Sequence, residues 1–168
     1  MLLLTTAALS GAAGCSAPLP LLDGPTTYTI HPADADLAPY VLDAVEAWQP
    51  AVPYPLTVQI GGLQGEGYLV YRLADLDADL TLGFGHESVG EHAVGLTLPG
   101  QGWHRHEVRI LRDVKSDWLG AVIAHEIGHT VGADHDDYCD EGVMIETGDI
   151  RGRMPAACEV AAVADKYR

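Results

Sequence analysis

The order of apolar and polar positions divides the chain into an unpatterned start and a patterned remainder that begins near Thr26. Residues 27–30, Thr-Tyr-Thr-Ile, have strand composition. Leu37, Tyr40, Val41, Ala44, Val45 and Trp48 then recur at helical spacing and stop before Pro50, which predicts an amphipathic helix with one face on a core. After Pro53 and Pro55, residues 56–60 read as a strand ended by Gly61-Gly62, and residues 68–71 as another. From Asp75 the acids Asp75, Asp77 and Asp79 alternate with Leu76, Ala78, Leu80 and Leu82, the pattern of a half-exposed strand. Residues 93–98 and 108–111 supply two more strands, separated by a Pro-Gly-Gln-Gly turn. A second helix, capped by Ser116 or Asp117, turns Leu119, Val122, Ile123, Ile127 and Val131 toward the core. Beyond Gly132 the pattern is irregular until an amphipathic stretch over 159–167, which predicts a C-terminal helix.

Composition narrows what such a fold can do. A length of 168 residues suffices for one domain with a hydrophobic core and is short for two. Against 24 acidic side chains stand 9 basic ones, and the formal charge of -15 repels phosphate backbones and anionic lipid surfaces. Nucleic acid is therefore excluded as an expected partner. The alternating acids do not make a calcium loop, because an EF-hand counted from Asp75 needs Gly and Glu where Leu80 and His86 stand. The acidity leaves bound calcium possible, but no motif in the sequence supports it.

Residues 1–14 carry no charge, are dominated by Leu, Ala and Gly, and are too few to cross ~30 Å of hydrocarbon. They read as an export signal. The small residues before Cys15 are similar to a bacterial lipobox, in which the signal is cut before the cysteine and its thiol carries diacylglycerol. Ala12 stands where such boxes usually have Leu, and no Lys or Arg precedes the apolar run, so an ordinary secreted protein is the alternative. The expected organisation is signal 1–14, lipidated Cys15 with a proline-rich tether to 25, and one domain over 26–168. Membrane attachment is expected only through the lipid, at the periplasm or cell surface. Setting Cys15 aside leaves Cys139 and Cys158, an even pair in an oxidising compartment, for which a disulfide is the natural pairing and two reduced thiols the alternative. Such a bond would close a loop of about 20 residues and contribute roughly 3 kcal/mol.

The candidate chemistry lies in one run, His125-Glu126-Ile127-Gly128-His129-Thr130-Val131-Gly132-Ala133-Asp134-His135. Helical residues four apart share a face, so His125 and His129 can converge on one ion, while Glu126 lies one position on and can reach a water there. A tetrahedral catalytic site needs a third protein ligand and an open position. Gly132 can end the helix in a left-handed conformation and bring His135 back to supply that ligand. Zinc held by three neutral imidazoles would lower the pKa of its water toward about 7, and Glu126 would act as general base in metal-assisted hydrolysis.

These residues resemble the signature of the metzincin metallopeptidases, H-E-x-x-H-x-x-G-x-x-H followed by a methionine-containing turn. Gly142-Val143-Met144-Ile145 looks like that turn, and the order of elements is similar to the matrixin-like branch over residues 26–168. The resemblance implies an α/β (α+β) domain with a twisted mixed five-stranded sheet, an antiparallel edge strand, two main helices and an irregular C-terminal part ending in a helix. It further implies zinc at His125, His129 and His135, and Met144 as a hydrophobic floor that is not a ligand. It also implies an edge strand for extended substrate at Ala93, Val94, Gly95, Leu96, Thr97 and Leu98. Asp136 follows the third histidine as in adamalysin-like enzymes, where matrixins have Ser. His86, His92, His104 and His106 do not reproduce the spacing of a second, structural zinc site. The expected function is that of a monomeric zinc-dependent endopeptidase acting on a peptide or protein substrate. The alternatives are a surface-anchored zinc-containing binding module without catalysis, and a zinc hydrolase of non-protein amides.

Overall fold

The structure is a computed structural model, and it describes residues 28–32, 35–60, 67–73, 95–98, 105–111, 114–135, 139–145 and 149–168. The strands are β1 (Tyr28–Pro32), β2 (Leu56–Val58), β3 (Gly67–Leu73), β4 (Gly95–Leu98) and β5 (Arg105–Leu111). The α-helices are α1 (Ala38–Trp48), α2 (Ser116–Thr130) and α3 (Ala157–Asp165), and 3-10 turns at Ala35–Leu37 and Gln49–Ala51 flank α1.

β1 and β2 pair in parallel, with Thr29 opposite Thr57 and Ile30 opposite Val58. Parallel strands cannot be joined by a tight hairpin, and α1 is the crossover between them. The Thr29 and Thr57 hydroxyls meet at 3.0 Å across the pair, and the Gln59 N–H donates to Ile30 O at 3.0 Å just beyond the end of β2. In α1, Pro39 stands in the first turn, where its missing N–H has no helical partner to lose. Ala38, Val41, Ala44, Val45 and Trp48 form the buried stripe. Gln49 then folds the chain back. Its amide N–H donates to Tyr54 O at 3.0 Å, and its amide oxygen accepts from Leu56 N at 2.7 Å, which starts β2.

The backbone ladders continue from β1 to β3 and from β3 to β5 in parallel, and β4 runs antiparallel to β5, in the order β2-β1-β3-β5-β4.

The expected architecture needs correction in what holds the domain together. A twisted five-stranded sheet covered by two main helices puts the sheet at the centre. Among the described residues the packed core is instead built mainly on three helices, with the parallel pair β1–β2 and part of β5 beside them. The core includes Ile30, Leu56, Val108 and Ile110 from strands, Leu37 just ahead of α1, and side chains of α1, α2, α3 and the segments after them. The physical reason is α2. A stripe along one side is expected of it, yet Leu119 and every residue from Ala121 to Thr130 are buried, so the helix needs cover all round. α1 covers one side of it, and the turn at residues 142–145 reaches it from another.

Smaller differences concern boundaries. The second strand ends at Val58, leaving Gln59 and Ile60 exposed, and the C-terminal helix runs two residues earlier than expected. The N-cap of α2 is Lys115, without a side-chain cap, so Ser116 and Asp117 fall inside the first turn. Asp117 there complements the positive end of the helix. The expected strand over 75–82, the signal, Cys15 and its tether, and Ala93, Val94, His86, His92 and His104 lie outside the described residues. Among the described residues no helix is long and apolar enough to cross a membrane.

Candidate metal centre

α2 delivers His125, Glu126 and His129 into the interior, at 7 %, 2 % and 1 % exposure. The helix then ends in a Schellman motif. Ala133 N–H donates to Gly128 O at 2.9 Å, and Gly132 N–H to His129 O at 3.2 Å, with Gly132 at φ 93°. A side chain at that φ is strained, so the glycine permits the reversal that carries His135 back beside the helix.

Three imidazoles converge there. His125 Nε2 lies 3.1 Å from His129 Nε2 and 3.3 Å from His135 Nε2, and the three ligand atoms all lie within 4.8 Å of one another. Zinc–nitrogen bonds of about 2.0–2.1 Å in a tetrahedron put their nitrogens about 3.3–3.4 Å apart. The far side of two rings is fixed by backbone: His125 Nδ1 lies 2.7 Å from Val143 O, and His129 Nδ1 lies 3.1 Å from Ala133 O. A carbonyl only accepts, so each Nδ1 carries the proton and each Nε2 presents a lone pair. Two lone pairs pointed at each other across 3.1 Å repel unless a cation lies between them. Burial, the largest influence on both, holds His125 below the ordinary histidine range and lowers His129 to about 3. Neutral imidazoles are the form that binds a metal. His125, His129 and His135 could therefore hold a metal ion, and the donor set fits zinc.

The turn after the third histidine completes the surroundings. Val143 and Met144 are fully buried. A Cβ built on Gly128 would come within 2.5 Å of Met144 Sδ and 2.7 Å of the Trp48 ring, so the glycine of the helix lets both pack directly against its backbone. Trp48 also donates from Nε1 to Ala124 O at 2.8 Å, tying α1 to the turn of α2 that bears the ligands.

α3 closes the far side, and of its contacts the sequence pointed only to the pairing of Cys158 with Cys139, which is present. Glu159 accepts from Val143 N at 3.1 Å, Met144 N at 2.7 Å and Ala156 N at 2.9 Å. Just past α3, Lys166 Nζ donates to Gly132 O and Tyr167 OH to Val131 O at 3.0 Å. Arg153 donates to Asp140 O and, at 3.2 Å, to Gly142 O. Cys139 and Cys158 form a disulfide, which ties the loop after His135 to the first turn of α3. A cavity of about 180 Å³ lies behind His135 and Met144, against Glu159 and Lys166.

Of the residues expected in an edge strand, Gly95, Leu96, Thr97 and Leu98 are β4, which pairs with β5 and lies against α2. No protein-family model matches the chain, and no curated protein matches it either.

Proposed function

We propose that the protein is a zinc-dependent endopeptidase of metzincin-like, matrixin-related type, exported and anchored as a lipoprotein through Cys15. The observation that carries this reading is the convergence of three imidazole Nε2 atoms, with Glu126 next to the first ligand on the same buried helix. His125, His129 and His135 would hold the zinc; bound there, it supplies a Lewis acid and an acidified water. Glu126 takes a proton on its carboxylate as water attacks the peptide carbonyl, and returns that proton to the departing amine. Met144 floors the site as an apolar wall, and the edge strand β4, Gly95–Leu98, lays an extended peptide beside α2 by main-chain pairing.

Purified full-length chain incubated with a diverse peptide library, with and without chelator, tests this by mass-spectrometric mapping of cleavage sites. Chelator-sensitive cleavage is expected. Glu126→Ala should keep one zinc per chain and lose hydrolysis by at least about 100-fold, the usual scale of a general base. Unchanged turnover in that variant, or cleavage that ignores the chelator, would remove the mechanism. Zinc bound without any cleavage would favour a binding module.

A further inference from the structure

We infer that Glu159 is a positioning residue for the metal centre, acting through the turn at residues 142–145 on the orientation of His125. The inference rests on the reading of the three histidines as metal ligands.

Glu159 is 2 % exposed, a degree of burial that a carboxylate tolerates only when its oxygens are well used. They are used on the turn. One oxygen accepts from Met144 N and the other from Val143 N, two consecutive amides of a segment with no helix or strand ladder of its own. The same peptide groups lead onward: Val143 O is the acceptor for His125 Nδ1, at 2.7 Å. The path from the carboxylate to the ligand thus crosses a single residue. Oxygens placed this way fix the plane of the turn, the plane fixes the direction of the Val143 carbonyl, and the carbonyl fixes the tautomer and tilt of the ring.

Two further observations fit a carboxylate that sets this geometry. Gly142 leaves room for it: a Cβ there would lie 2.0 Å from Glu159 Oε1 and 2.2 Å from its carboxyl carbon. Met144 and Glu159 both line the cavity of about 180 Å³, so the turn is not enclosed on that side by packed side chains. Cys158, disulfide-bonded to Cys139, holds the neighbouring residue of α3 close to the same loop.

Zinc affinity of the full-length, disulfide-intact chain, measured by competition with a chromophoric chelator and scaled to the folded fraction from circular dichroism, tests the proposal. Glu159→Ala and Gly142→Ala are each expected to weaken zinc binding by about tenfold or more, the range seen when groups behind a ligand are removed. The near-isosteric Glu159→Gln, which keeps one acceptor oxygen, should fall between them and the parent. In the double variant, Gly142→Ala should add little to Glu159→Ala, because the clash it creates is with the carboxylate already removed. The cobalt-substituted Glu159→Gln chain should show an altered visible ligand-field spectrum. Parental affinity per folded molecule and a parental cobalt spectrum in Glu159→Gln would overturn the proposal, leaving Glu159 a purely structural anchor. A parent chain that binds no zinc would instead overturn the metal reading itself.

Discussion

Single residues set the electrostatics of the site, and they do so mainly by being dry. His125 and His129 lie inside α2, and burial lowers both, His129 to about 3. His31, buried in β1, is lowered for the same reason. In the unfolded chain these rings titrate near 6.5. A folded pKa below that value means the unfolded chain takes up the proton first, so the stability tied to each ring is present above pH 6.5. It is lost as pH falls from there toward each ring's lowered pKa, about 3 for His129. Each ring titrating only in the unfolded chain removes about 1.4 kcal/mol per pH unit. Urea titrations of the metal-free chain should therefore show roughly 2 kcal/mol less stability at pH 5 than at pH 7.5 from His129 alone. An unchanged urea midpoint would mean that the rings are not held neutral. Added zinc should restore stability at pH 7.5 and progressively fail to do so below pH 6, as protons displace it.

Among the elements, α2 decides most. It is buried on nearly every side, and Gly128 is where its neighbours come closest. Alanine there would gain about 0.8–1.0 kcal/mol in helix propensity. It would also drive a methyl group to 2.5 Å from Met144 Sδ and 2.7 Å from the Trp48 ring, and overpacking of that kind costs about 1–3 kcal/mol. The clash wins because the indole is pinned by its bond to Ala124 O. Gly128→Ala should lower the urea midpoint through a net loss of up to about 2 kcal/mol, and a gain in stability would show that the Met144 thioether yields freely. The ligands themselves were legible in the sequence because they are local: two share one helical face, and the third follows a glycine that reverses the chain. Glu159, Lys166 and Tyr167 were not, because they reach the site across 15 to 36 residues and carry no periodic signal. Pattern reading could find a helix near residue 159 but not that its first buried acid faces a distant turn. The same limit produced the corrected frame. Alternation and spacing report which positions are apolar, whereas the share of the core taken by helix or strand depends on how the elements meet.

At the scale of the whole molecule, the C-terminal part works as a clamp on the centre. α3 and the residues just after it hold the turn at 142–145 through Glu159 and the reversal at 131–132 through Lys166 and Tyr167, and the disulfide fastens α3 to the loop between them. Closing 19 residues of separation, that bond should contribute about 3 kcal/mol in the chain-entropy model. Cys139→Ser with Cys158→Ser should lose stability of that order in urea titrations, and zinc affinity with it. Loss of stability with parental affinity would confine the bond to the fold. The clamp also has a consequence for metal binding. His125, His129 and His135 precede α3 in the chain, and their surroundings are complete only once α3 and the residues just after it have docked. Ion binding and the docking of α3 should therefore favour one another.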